Sequence, residues 1–535
     1  MLNDLKYAWR QILKAPGFAI TALLTLAIGI GVNAAVFSVM DAIVLRPLAV
    51  PNLDRVMTVA EDRGRGRFSY EWVTGANYED WRQQSKSFES LAAFKRYSMA
   101  LTGAGEAAHV SASRSTANFW NVLKIDAFMG RVFRADECQP GRDAVVLLSY
   151  SFWQKQFASD PNVLGRKIRL DERDYEVIGV MPKGLVYPPS TDLYLPLALT
   201  PAQLHDRGDH EYMVVGRLRP GVTAREADSE LHGIAARLQK EYPATNLGWS
   251  VKVQALLDNI SGELTPLYMR LMMGGTLFVL LIVCANVANL QFARGVARRP
   301  EMAMRTALGA PRNLLLRQLL TENVVLSVAG AAAGMLLAWL DLHLCLIAMP
   351  ERVARYVAGW YTIHLNMRAL IFSALLAVAA GVVSGLAPAL EAMRVNLVEQ
   401  LKSGSRTETG GSKNHRLRNF FATAQIALAV ALVIGAALMC KGMWSTLQFG
   451  NVYHPKQVLT FGVTLPAVRY GDDVKKQAWY QSSLEKIQSL PGVKRAAVTT
   501  MLPYGQGGWT DDFRIENRPV TPGKFDSAVR VAMSQ

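Results

Sequence analysis

The sequence predicts a membrane protein, an α-helical transmembrane bundle of about five spans with α+β extracytoplasmic domains of periplasmic type, and three observations predict it. The first is a set of uncharged apolar runs. Phe18–Met40 and Leu271–Ala293 are 23 residues each and Asn323–Leu340 is 18, and Ala369–Leu390 and Asn419–Cys440 are of the same kind. At about 1.5 Å per helical residue each reaches across most or all of a hydrocarbon core of about 30 Å. The second is composition: 535 residues that are 50% apolar, with a mean hydropathy of +0.13, are too apolar for an ordinary soluble chain. The third is the mixed strand and helix patterning of the long stretches between the runs.

Charge gives the topology. The net charge is +15, which by itself fits nucleic acid or an anionic membrane face. Three segments, Met1–Gly17, Arg294–Gln318 and Ala392–Arg418, hold 15 lysines and arginines against four acidic residues, a net +11. The basic excess therefore follows the positive-inside rule, puts these segments in the cytoplasm and removes the case for a nucleic-acid partner. Phe18–Met40 is too long for a signal-peptide core and has no small-residue cleavage site before Asp41, so it reads as an uncleaved first span with a cytoplasmic N-terminus. Four scattered cysteines and eight scattered histidines form no disulfide framework or metal pair.

Taken in order, residues 1–17 form a cytoplasmic N-terminus, 18–45 the first span and 46–266 an α+β extracytoplasmic domain. Within that domain Asn77–Phe94 has Trp81, Phe88 and Leu91 spaced for one helix face. Lys167–Leu170 and Tyr175–Val180 alternate around Asp171–Asp174 as a hairpin, and Tyr212–Leu218 is a further strand. After the Pro220-Gly221 turn, Thr223 and Glu226 have capping-box spacing for a helix to about Lys240. Trp72, Trp81, Trp120 and Trp153 suit core packing better than a substrate path.

The second span is 267–293, where Asn286 and Asn289 are expected to bond to neighbouring helices. A basic cytoplasmic connector, 294–318, leads to the third span, 319–348. A short outer loop at 349–366 leads to the fourth, 367–391, in which Pro388 is expected to kink the inner end. Gly330/Gly334 and Gly381/Gly385 give the third and fourth spans small faces for close packing. Arg352, Arg355 and Arg368 form a mild breach of positive-inside, read as noise. A cytoplasmic linker, 392–418, precedes a fifth span, 419–447, and a second periplasmic domain, 448–535, helical at Leu484–Leu490. This domain reads as a repeat cut off mid-domain, with three further spans missing.

Between the second and third spans, Pro300 suits a first helical turn, and Gly309 and Pro311 give a stop. A short helix, Glu301–Leu308, is predicted. It carries Met302, Met304 and Leu308 as apolar knobs, with Glu301 four residues before Arg305. It suits a groove on a soluble partner, and it also suits an ordinary positively charged loop.

Residues 301–310, Glu-Met-Ala-Met-Arg-Thr-Ala-Leu-Gly-Ala, resemble the coupling-helix motif of FtsX-like and MacB-type permeases. The passages Leu5–Gln11, Pro16–Phe18, Ala27–Ser38 and Leu45–Leu48 resemble the opening of the duplicated orphan permeases, a MacB-like subfamily without a fused ATPase. Asp160–Arg166 and Val177–Pro182 are similar to the MacB periplasmic core domain. The resemblance implies an ABC-type permease of the bacterial inner membrane that couples hydrolysis by a separate ATPase to motion of its periplasmic domains. Glu301, Met302, Met304, Arg305, Gly309 and Ala310 would form the ATPase contact. Glu301 and Arg305 would orient the helix, the two methionines would pack into the ATPase, and Gly309 would allow the tight exit. Membrane lipid is the other partner, and the resemblance leaves open a homodimer or an internal pseudo-dimer of the full-length chain. A rival reading is an FtsX-like scaffold that activates a cell-wall hydrolase, and a third is a half-built chain without function.

No G-x-x-x-x-G-K-[ST] loop, H-E-x-x-H site or G-x-S-x-G elbow occurs, so an enzymatic reading has no residues to stand on, and no cofactor is implied. His210-Glu211 lacks a second histidine at zinc spacing. Asp41 and Asp341 at outer span ends and Glu322 at an inner end are expected to reach water.

Overall fold

The computed structural model describes residues 10–11, 14–46, 48, 50–63, 70–102, 108–185, 187–262, 264–307, 311–350, 354, 357, 359–392, 412–450, 458–463, 465, 469–500, 509–513, 526–530 and 533–534. The chain divides into two units: Met1–Pro47 with Ile260–Thr460, and Leu48–Asn259 with Phe461–Gln535.

The first unit is helical. Five of its described helices are long and apolar enough to cross a membrane, over Pro16–Leu45, Thr265–Arg294, Leu314–Ala348, Met367–Leu386 and Ala422–Ser445. Four of them share a core of Ala22, Leu26, Ile30, Val283, Val287, Leu326, Ala377 and Ala380. The small residues expected to permit close contact do so. A Cβ on Gly334 would lie 2.7 Å from the Ala27 carbonyl oxygen, one on Gly31 2.7 Å from that of Gly334, and one on Gly330 2.7 Å from Leu26 Cβ. Gly381 meets Val324 Cα at 2.8 Å in the same sense. With no solvent to expel between helices in lipid, such backbone approach is the chief source of association. The fifth helix, Ser412–Gly450, has no buried residue among those described. It joins the second helix where Gln425 Nε2 donates to Asn286 Oδ1 at 2.8 Å, the interhelical amide bond expected of Asn286.

Among the described residues the second helix is the longest. The second runs unbroken from Thr265 to Ala307, 43 residues, or about 65 Å. The separate short helix expected at Glu301–Leu308 is therefore the tip of this long one. Pro300 removes one backbone bond at a cost of about 3 kcal/mol, and the Ala, Arg, Glu and Met around it are strong enough helix formers to continue. The fourth helix likewise passes through Pro388 to Ala392.

The second unit is α+β. Its strands are β1 (Val56–Asp62), β2 (Tyr70–Glu71), β3 (Val73–Thr74), β4 (Phe88–Thr102), β5 (Ala108–Ser115), β6 (Met129–Gly130), β7 (Val145–Leu148), β8 (Lys167–Leu170), β9 (Arg173–Val180), β10 (Leu193–Pro196), β11 (His210–Leu218), β12 (Ser250–Ala255), β13 (Trp509–Phe513) and β14 (Asp526–Arg530). The main sheet runs β12-β1-β11-β4-β5-β10-β7-β9-β6, with β2, β3 and β8 attached to it. It carries two cores. One is built on β1, β11 and β12 with the helices Gly75–Gln84 and Ala224–Glu241, around Trp81, Tyr212, Leu231 and Ile234. The other is built on β5, β7, β9 and β10 with the helix Tyr150–Phe157, around Val146, Trp153, Val177 and Leu195. The long β4 belongs to both.

The hairpin forms with Leu170 opposite Arg173, turning on Asp171 and Glu172, both at positive φ, as a two-residue turn requires. The Thr223/Glu226 capping box opens the helix Ala224–Glu241. The helix expected over Asn77–Phe94 is corrected. It ends at Gln84, and Phe88 and Leu91 lie on β4. Glu230, from the helix Ala224–Glu241, accepts the amides of Lys86 at 2.7 Å and Ser87 at 2.9 Å and the Ser85 hydroxyl at 2.9 Å. Those bonds replace the helical ones, and pairing with β11 and β5 extends the chain beyond. Near the C-terminus the helix is Asp473–Gln488 rather than Leu484–Leu490, capped by the Asp472 carboxylate. Of the four tryptophans, Trp81, Trp120 and Trp153 are buried and Trp72 is exposed.

Asp143 ties β5 and β9 to the β6–β7 connection. It lies 2.9 Å from Arg173 Nη2 and 3.5 Å from Arg114 Nη1. Burial raises its pKa, but the bond and charge of Arg173 and the charge of Arg114 outweigh it, so the carboxyl titrates below its ordinary value. Its contribution is therefore complete above the unfolded-state pKa and lost as pH falls through the lowered folded value. Asp143→Asn is expected to cost about 1–3 kcal/mol near neutrality, discounted for the half-open arginines. Urea unfolding against pH should show the gap between wild type and variant closing in acid. In the bundle, Gly334→Ala should lower the thermal midpoint in detergent by an amount matching about 1–3 kcal/mol of overpacking. Gly435→Ala, whose Cβ meets nothing within 4 Å, should leave it unchanged.

Candidate functional site: the connector end of the helix bundle

The basic connector begins as the tip of the second helix and ends where Pro311 caps the third, Arg312–Ala348. Glu301, Met302, Met304 and Arg305 lie on the last two turns of the second helix. Met304 is 65% exposed. Gly309 and Ala310 lie outside the described residues. Of the six residues singled out from sequence, four thus lie on the end of one helix, and Met304 is exposed there.

Behind this tip is a cluster of which the sequence reading singled out Glu322 alone. Arg294 Nη1 donates to Glu322 Oε1 at 2.8 Å, and Nη2 donates to the Gln11 carbonyl at 2.8 Å. The guanidinium also lies 4.7 Å from the centre of the Phe18 ring, within cation–π range. One turn deeper, Gln291 Nε2 donates to Asn323 Oδ1 at 2.6 Å, and Asn323 Nδ2 donates to the Leu319 carbonyl at 3.0 Å. Glu322, Asn323 and Gln291 are all buried. Asn323 would also touch any Cβ on Gly385 of the fourth helix, at 2.6 Å. The cluster thus joins the N-terminal segment to the second, third and fourth helices.

The opposite end of the bundle has a counterpart. Asp41, 2% exposed, accepts from Asn366 Nδ2 at 2.7 Å and from Arg368 Nη1 at 3.3 Å. It opens a π-helical turn, Asp41–Leu45, in which Ile43 offers its carbonyl to Ser261 Oγ at 3.3 Å. These pairs correct two expectations. Asp41 and Glu322 do not reach water, because an arginine on a neighbouring helix covers each. Arg368 is no stray charge but the partner of Asp41.

A sequence signal for both pairs existed. Each member stands one residue outside an uncharged run: Arg294 after Leu271–Ala293, Glu322 before Asn323–Leu340, Asp41 after Phe18–Met40 and Arg368 before Ala369–Leu390. The connector between the second and third helices brings Arg294 and Glu322 level, and packing of the fourth helix on the first does the same for Asp41 and Arg368. Between the two ends, Thr276 Oγ1 donates to Asn33 Oδ1 at 3.0 Å and Asn33 Nδ2 returns a bond to the Thr276 carbonyl at 2.8 Å.

In the α+β unit, His210 is a structural partner. Its Nδ1 lies 2.5 Å from the buried Glu61 carboxylate, and its ring stacks on Trp249 at 4.3 Å. Glu61 also accepts from Asn77 Nδ2 at 2.7 Å, which ties the helix Gly75–Gln84 to β1.

Comparison with known proteins fits this architecture. The family model of a MacB-like periplasmic core domain matches residues 19–234, and that of an FtsX-like permease C-terminal region matches 273–397. The pyoverdine export ATP-binding/permease protein PvdT of Pseudomonas syringae pv. tomato is 27% identical over 277 residues, 50% of this chain and 39% of that protein. The macrolide export ATP-binding/permease protein MacB of Chlorobium phaeobacteroides is 25% identical over 281 residues, 51% of this chain and 40% of that protein. YknZ of Bacillus subtilis, an uncharacterized ABC transporter permease, is 24% identical over 295 residues, 53% of this chain and 66% of that protein. The chain therefore spans about two fifths of the length of the two export proteins. Among solved structures, the periplasmic region of MacB from Actinobacillus actinomycetemcomitans aligns with 39% of this chain and 92% of its own, at 17% identity and a TM-score of 0.31. Both family models fall on the architecture described, the first running from the first helix into the α+β unit and the second over the next three helices, so residues 19–234 and 273–397 carry the two domains of an FtsX/MacB-type ABC transporter permease.

Proposed function

We propose that the chain is the membrane subunit of an ABC-type export system, driven by an ATPase that docks on residues 301–310. The observation that carries this reading is the unbroken helix Thr265–Ala307. The helix stays continuous through Pro300, at the loss of one backbone bond, so displacement at Glu301–Arg305 is carried along it to the span. The exposed Met304 offers the ATPase an apolar contact, and methionine's flexible thioether suits a groove that changes shape during a cycle. The basic segments support a connector in the cytoplasm and an α+β unit outside. Motion of the spans is then transmitted to the outer unit, which hands on a substrate already beyond the inner leaflet. The export proteins among the relatives support the direction of transport.

The charge at 305 is the test. Arg305→Glu should abolish co-purification of the ATP-binding subunit and reduce its stimulated hydrolysis in lipid vesicles by about tenfold or more, as loss of an interfacial charge contact does. Unchanged co-purification and stimulation would refute the docking site.

A further inference from the structure

We infer that Arg294 and Glu322 form a clamp that turns motion of the connector into motion of the whole four-helix bundle, an inference that rests on the coupling role proposed for residues 301–310. Arg294 stands seven residues before Glu301 on the same continuous helix, two turns or about 10 Å along its axis. By helical periodicity positions 294, 301 and 305 fall on one stripe. A push at the tip therefore arrives along the stripe that holds the guanidinium.

The guanidinium is held from three directions. Glu322 of the third helix takes one arm, the Gln11 carbonyl takes the other, and the Phe18 ring of the first helix lies beneath. Only 13% of the Arg294 side chain and 4% of the Glu322 side chain is exposed. A buried ion pair of this kind resists separation, because parting it takes each charge from its partner without returning it to water. The Gln291–Asn323 bond one turn deeper, and the contact of Asn323 with Gly385, extend the grip to the fourth helix. The planar fork of an arginine is required for two simultaneous partners, and a lysine supplies only one direction at a time.

The fifth helix is outside the clamp. It meets the second helix higher up, through Gln425 and Asn286, and its described residues are unburied. The geometry thus separates a clamped group, the first four helices, from a fifth that can shift against them. The clamp sets which helices move together, while residues 301–310 set where the force enters.

The experiment uses the full chain in lipid nanodiscs, as wild type, Glu322→Gln, Arg294→Lys and the charge swap Arg294→Glu/Glu322→Arg. Backbone hydrogen exchange, with no ATPase present, reads the grip. Glu322→Gln should speed exchange by about tenfold or more over 286–296 and 316–326, and the swap should restore protection. Hydrolysis by the ATP-binding subunit that co-purifies with the wild-type chain reads the coupling. Glu322→Gln should still bind that subunit but lose its stimulation, and the swap should recover it. Arg294→Lys, which keeps the charge and serves as the folded control, should lose about threefold for want of the second arm. Full stimulation in Glu322→Gln, or unchanged exchange, overturns the clamp. A single variant that fails to fold while Arg294→Lys keeps full stimulation overturns it too, since the pair then serves stability alone. A wild-type chain that recruits no ATP-binding subunit overturns the docking proposal, and the clamp as a coupling device with it. That outcome is distinct from recruitment and stimulation that the clamp variants leave intact.

Discussion

A charge or amide buried at the ends of apolar helices must find its partner within the protein, and this constraint organises the helical unit. The hydrocarbon core offers no hydrogen bonds, so an unpaired carboxylate or guanidinium there costs several kcal/mol. The bundle meets the cost with Arg294–Glu322 at one end and Asp41–Arg368 at the other. Buried pairs add little net stability compared with apolar packing, but they penalise every arrangement in which the partners do not meet. Two such pairs at opposite ends fix the axial register of four helices.

The glycines work on the space between. Gly31 against Gly334, Gly330 against Leu26 and Gly381 against Val324 bring the backbones to distances that a single added carbon would block. Dispersion across these seams is weak per atom and large in sum. The polar ends select the register, and the glycine seams make that register close-packed. Among its described residues the fifth helix shows neither device in comparable measure, which agrees with their lack of burial.

The α+β unit uses a different economy. Water surrounds it, so apolar burial supplies the driving force, and polar groups act where the chain changes direction. Glu230 ends one helix and starts a strand, Glu61 anchors the same helix to β1 through Asn77, and Asp143 joins β5 to β9 with its two arginines. The two cores share one sheet because β4, at 15 residues, is long enough to serve both.

Patterns with a local cause were legible in the sequence. The five apolar runs, the Thr223/Glu226 cap, the turn between β8 and β9 and the small-residue faces all follow from residues within a few positions of one another. The basic residues of the connector and its exposed Met304 were legible in the same way, since charge bias and helical spacing are local properties. Tertiary structure decided the rest. Asn77–Phe94 has helical spacing throughout, yet Glu230, more than 140 residues away, captures its middle and sends the second half into the sheet. Pro300 reads as a helix start, yet strong helix formers on both sides carry the helix through it. Arg294, Glu322, Asp41 and Arg368 read singly as loop or end charges, because a sequence shows each charge without its partner. Only the folded bundle brings each pair within reach, and pairing converts four separate end charges into the fastenings of the helices.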